Sequence, residues 1–141
     1  MPDLRRSRRL LARLERLHAV ERQEALARLA ETRAEQRRME DIASRSRMLA
    51  GGDALAGGTF DGAGLAAALA FQARLTSLVS DARRMGERAS AAETVARAGF
   101  AEADRRLERV RERRQHADRK ADEQQMARSL LDSSQKPRGL F

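Results

Sequence analysis

Histidine is the side chain that titrates nearest neutral pH, and this chain has two, His18 and His116. They lie in opposite halves of the sequence. Neither belongs to an HExxH helix, a phosphate-binding loop or a Ser-His-Asp arrangement. The acidic pairs Glu40-Asp41 and Asp122-Glu123 have no base placed beside them and read as solvated helix faces. The chain has no cysteine, so a thiolate metal site, a Cys nucleophile and a disulfide framework are all excluded. That usage suits a reducing compartment. No catalytic residue, metal ligand or cofactor-binding residue is assigned. The expectation is a protein that is not an enzyme and uses no cofactor.

The remaining chemistry is that of arginine. Residues 1–16 carry a net charge of +4 and residues 105–120 a net +5, whereas residues 17–104 sum to −1 and 121–141 to zero. The whole excess of +8 therefore sits in two segments far apart in sequence. A solvated Arg-rich helix surface is one reading and is common. A docking surface for an acidic partner is the other. The choice depends on whether the fold brings the two segments together.

The elements that position them are helices. In 141 residues, one domain at most, 35% are charged and 3% aromatic. That is the bias of long helices and coiled coils. The only prolines are Pro2 and Pro137, so nothing rigid interrupts the chain between them. Apolar and polar residues do not alternate with period two, so no strand is expected.

Steps of four and three from Ala68 pass through Gln72, Leu75, Val79, Ala82, Gly86, Ala89, Glu93, Ala96, Phe100, Ala103, Leu107, Val110, Arg114, Ala117, Ala121, Gln124, Arg128 and Leu131. Fourteen of these 19 positions are apolar or glycine. A 3.5-residue repeat held that long predicts a left-handed coiled coil. In the first half the best phase runs Leu11, Leu14, His18, Glu21, Ala25, Arg28, Thr32, Glu35, Met39, Ile42, Ser46, Leu49, and only six of the twelve are apolar. The seam predicted from the two halves is carried by Leu11, Leu14, Met39, Ile42, Leu75, Val79, Phe100, Leu107 and Val110.

Between the halves lies "GGDALAGGTFDGAG", Gly51–Gly64, with six of the nine glycines. Glycine there permits a helix to end and the chain to reverse. Asp61 or Thr59 is placed to cap the second helix, with Leu65 opening its apolar face. The fold class is therefore all-α: one antiparallel two-helix coiled-coil hairpin over 1–141. Its parts are helix 1 at about 4–50, a Gly-rich turn at 51–64, helix 2 at about 65–132 and a loose tail at 133–141. The helices would be about 70 and 100 Å long at 1.5 Å per residue. Reversal about the middle of the glycine segment pairs residues whose numbers add to roughly 115. Phe100 then packs near Leu14 and Leu17, and helix 2 overhangs by about 20 residues. The small seam residues Ala82, Gly86, Ala89, Ala96 and Ala103 permit close approach. Gly86 reads either as a close-contact or bending point or, more commonly, as an ordinary tolerated glycine.

The hairpin brings both basic segments to the end opposite the turn, which favours docking. Arg5, Arg6, Arg8, Arg9, Arg105, Arg106, Arg109, Arg113 and Arg114 are the candidate partner-binding residues. "SRRLL" at Ser7–Leu11 faintly resembles a twin-arginine signal, but the charged residues that follow exclude it. No run approaches the ~18 apolar residues of a membrane span. A cytoplasmic location is expected.

Leu10–Asp41, "LLARLERLHAVERQEALARLAETRAEQRRMED", resembles the first helix of the FliJ family, small coiled-coil proteins of flagellar type III export. Ala103–Asp132, "ADRRLERVRERRQHADRKADEQQMARSLLD", resembles the end of its second helix, with Leu107, Glu108, Glu112, Arg113 and Arg114 in the family's Leu-Glu-x-x-x-Glu-Arg-Arg core. The resemblance implies a hairpin similar to the coiled coil of the rotary ATPase γ subunit, a fold shared with injectisome stalk proteins. It implies a stalk in the pore of the hexameric export ATPase that promotes ring assembly. The stalk would couple the ring to the export gate membrane protein and handle substrate chaperones, peripherally associated with the export apparatus at the inner membrane. The long glycine-rich turn and the dense N-terminal Arg cluster depart from the family pattern. A basic coiled coil that binds nucleic acid is the alternative allowed by a pI near 11.4. The Arg clusters lack interleaved aromatics for base stacking, which counts against it. A generic adaptor hairpin is the third reading.

Overall fold

The structure, a computed structural model, describes residues 2–51 and 61–135. They form two helices, α1 (Pro2–Ala50) and α2 (Gly62–Gln135), with no strand among the described residues. The helices pack against each other in opposite directions, an all-α hairpin. Pro2 opens α1 where its missing N–H costs nothing. α1 closes with the Gly51 amide donating to the Arg47 carbonyl at 2.8 Å. α2 opens on Asp61, whose carboxylate accepts from the Gly64 amide at 2.7 Å and whose carbonyl accepts from the Leu65 amide at 2.9 Å. Asp61 is thus the N-cap. Thr59, the other candidate, lies outside the described residues. α2 begins earlier than the expected residue 65 and runs past the expected 132, so the first residues assigned to the tail are helical.

The chain forms two compact units, one of Met1–Glu24 with Phe100–Phe141 and one of Ala25–Gly99. In both, the burial along α2 follows the predicted seam. Leu75, Ala82, Ala89, Glu93, Leu107 and Val110 are buried, and Ala68, Gln72, Val79, Gly86, Ala96, Phe100, Ala103, Ala117 and Ala121 are half-buried. Arg114, Gln124, Arg128 and Leu131 are exposed, so the seam fades toward the C-terminal end of α2.

On α1 the predicted phase needs correction at Leu14, Arg28, Ile42 and Leu49, which are exposed, whereas Glu21 and Glu35 are half-buried. Leu14 and Ile42 are 41% and 37% exposed. The covered series is instead Leu11, Glu15, His18, Arg22, Ala25, Leu29, Thr32, Gln36, Met39, Ala43, Ser46 and Ala50, with Leu29, Ala43 and Ser46 buried. It also contains six apolar residues in twelve, so apolar content could not separate the phases. Cross-helix ion pairs and small residues separate them. Glu15 and Arg22 reach carboxylate or guanidinium partners on α2, and Ala43 is buried in the same unit as Ala82.

The register is displaced too. Arg8, expected opposite residue 107, meets Asp118, and Arg33, expected opposite residue 82, meets Glu93. Phe100 does not lie on Leu14 and Leu17; the Arg22 guanidinium covers its ring, 5.0 Å from the centroid. Leu17 is 53% exposed. A displacement of 11 residues is close to three whole turns, so each helix keeps the same face inward while sliding along its partner. In the second unit this leaves Ala50 level with Leu75, and the first turns of α2 run on past the end of α1. The overhang at the other end of α2 is correspondingly shorter than expected. A Cβ on Gly86 would sit 3.7 Å from the Met39 Cβ, an ordinary contact, and α2 is unbroken there. Gly86 is a tolerated helical glycine. By length and composition alone α2 holds one 18-residue window of mean hydropathy 1.3, but no stretch of 18 described residues is free of charge, Arg74 and Asp81 interrupting the most apolar part.

Candidate functional site

All nine candidate arginines belong to the first unit and are exposed. The fold therefore brings the two basic segments together, as the hairpin requires. It does not leave all nine free. Arg8 Nε donates to Asp118 at 2.9 Å, Arg106 to Glu102 at 2.6 Å, and Arg114 to Glu15 at 2.6 Å. Arg5, Arg6, Arg9, Arg105, Arg109 and Arg113 have no carboxylate partner among the described residues. Arg105, Arg109 and Arg113 recur every fourth residue along one flank of α2. On α1, Arg6 and Arg9 continue into Arg13 and Arg16 in steps of three, four and three, away from the seam, and all four are exposed. Arg13 and Arg16 were not among the predicted residues, and the i, i+3, i+7, i+10 spacing from Arg6 is the signal that identifies them.

The paired arginines fix the scaffold beneath this surface. Glu15, three-quarters buried, takes Arg114 on one oxygen and Arg111 on the other, at 2.6 and 3.6 Å. The hydrogen bond from Arg114 is the main cause holding the Glu15 carboxyl below the usual carboxylate range, and the same contact raises Arg114. Arg22 combines a 2.7 Å bond to Asp104 with the stack on Phe100. These are positioning contacts between α1 and α2.

Of the nine predicted seam residues, Leu75, Leu107 and Val110 are buried and Leu11, Met39, Val79 and Phe100 half-buried. Among its described residues the second unit holds one buried charge, Glu93, whose side chain is 8% exposed. Arg97 binds both its oxygens at 2.8 Å and Arg33 approaches one at 3.2 Å. The Arg97 hydrogen bond, then Arg33, holds the Glu93 carboxyl down. His18 pairs with Glu21 at 2.9 Å, while His116 is exposed. No group of three His, Asp or Glu side chains able to hold a metal occurs among the described residues. Comparisons with protein-family models, curated proteins and solved structures yield no match.

Proposed function

We propose that this chain is a non-enzymatic stalk of a flagellar-type (type III) export apparatus, whose Arg-bearing helix ends enter the ring of a hexameric export ATPase. The observation that carries the reading is the pairing of both basic segments in one unit, with six arginines that have no carboxylate partner among the described residues while the seam arginines are tied down. A rigid pair of helices offering unpaired guanidinium groups suits an annular partner lined with acidic side chains. The resemblance of Leu10–Asp41 and Ala103–Asp132 to FliJ-family helices supports the particular partner. The same reading assigns coupling to the export gate membrane protein and contact with substrate chaperones.

Arg109→Glu with Arg113→Glu tests it, because neither arginine supports the hairpin. Glu is as good a helix former as Arg, so helicity should be unchanged. Capture by the ATPase should slow, and its stimulation should fall, since peripheral charges act mainly on association rate. Reversal of Arg37 and Arg38, in the other unit, should have little effect. Normal stimulation by the first variant with failure of the second sinks the proposal. A salt titration separates the nucleic-acid alternative, whose affinity should fall steeply as counterions are released.

A further inference from the structure

Ion pairs close one side of the first unit. Asp104, Arg111 and Asp118 each follow a covered seam residue of α2, and they reach Arg22, Glu15 and Arg8 on α1. In an antiparallel pair, residues just after the seam share one side of both helices, and residues just before it share the other. On that other side of the unit no ion pair joins α1 to α2 among the described residues. Leucine stands there instead. Leu10, Leu14 and Leu17 each precede a covered residue of α1, and they are 51%, 41% and 53% exposed. Their steps of four and three are those of a packing stripe, but the face that α2 covers is the next one round.

The ion pairs also set the levels. Arg22 meets Asp104 and Arg8 meets Asp118, so Leu17, Leu14 and Leu10 stand across from Arg109, Arg113 and His116, which precede the α2 seam. Along the outer edge of the leucines runs the row of four arginines that begins at Arg6. Basic side chains thus border the stripe on both edges, and no position in the stripe or its borders holds a carboxylate. Residues 52–60 and 136–141 are too short to cover it, since fully extended they reach about 32 and 22 Å. About 50 Å of α1 lie between Leu17 and Gly51, and about 28 Å of α2 between His116 and Gln135. We propose that this groove holds an amphipathic helix of a partner protein, its apolar stripe on the leucines and its carboxylates on the basic borders. Charge complementarity and the leucine spacing favour that occupant. A bilayer fits less well. It is flat and needs apolar side chains outermost, whereas these leucines lie beside a second helix, in a groove that a third helix fills. Arg109 and Arg113 also serve the ring reading, on which this groove does not depend.

The probe is a synthetic labelled peptide of about five helical turns, with leucines at every third or fourth position between glutamates, and its anisotropy with the full chain reads binding. A shuffled peptide of the same composition is the control. The chain should bind the first in the micromolar range and the second about tenfold more weakly or worse. Leu10→Gln with Leu17→Gln should weaken the first about tenfold, with helicity unchanged. Arg13→Glu with Arg113→Glu should abolish it. Equal affinity for the two peptides, no binding of either, or binding that survives the glutamines overturns the proposal. So do phosphatidylglycerol vesicles bound by the native chain and released by the glutamine variant. The assay contains no ATPase, so its failure leaves the ring reading standing, and a failed ring leaves the groove.

Discussion

Leu107→Ala against Leu14→Ala tests the corrected packing directly. Both positions were expected in the seam, but Leu107 is 3% exposed and Leu14 is 41% exposed. Truncating a buried Leu removes its transfer free energy and leaves a gap that neighbours fill only partly, for a loss of about 2–4 kcal/mol. A Leu side chain that is two-fifths in water retains only part of that burial. The loss at Leu14 is then about 1 kcal/mol or less, reduced further because Ala is the better helix former. The assay is urea denaturation followed by circular dichroism, with m-values compared to confirm that the same surface unfolds. The Leu107 variant should lose most of its midpoint and the Leu14 variant little. Equal losses would show that Leu14 lies in the seam and that the α1 phase given above is wrong.

Two other outcomes are expected. Gly86→Ala should stabilise by about 1 kcal/mol, since it removes a helix-interior glycine and its Cβ meets Met39 at ordinary distance; the same urea curves read it. Glu15 and Glu93 both ionise more readily folded than unfolded. Their stabilisation is therefore present above the ordinary carboxylate pKa and is lost as pH falls through their lowered values. The midpoint should be flat near neutrality and drop below about pH 4.5, and Glu15→Gln with Glu93→Gln should shrink that drop.

The sequence disclosed the fold class because two long runs of helix formers flank one glycine-rich break. It disclosed the α2 face because Leu75, Ala82, Ala89, Leu107 and Val110 repeat without a rival phase. On α1, Leu14 and Ile42 competed with Glu15 and Ala43, and large apolar side chains won on paper. In the structure, Glu15 takes a seam position because Arg111 and Arg114 satisfy its charge. Register was hidden for a geometric reason: sliding three turns changes partners without changing faces. Which arginines are free depends on that register. Arg8 and Arg114 looked equivalent to Arg9 and Arg113 until Asp118 and Glu15 were placed.

The two units combine ion pairs and apolar burial in different proportions, and this makes the hairpin respond unequally to its medium. The first unit spans α1 and α2 with ion pairs of Arg8, Glu15 and Arg22, most of whose side chains are substantially exposed. Such exposed pairs contribute little and weaken as ions screen them. The second unit has one such cross-helix pair, Arg33–Glu93, and more of the buried apolar residues, Leu29, Ala43, Leu75, Ala82 and Ala89, whose contact ions do not screen. Rising ionic strength thus acts as a selective loosener. It weakens the Arg-bearing ends, where Leu107 and Val110 remain buried, more than the Ala-lined stretch, so amide exchange in the first unit quickens ahead of the second and the grip of those ends follows the salt around them.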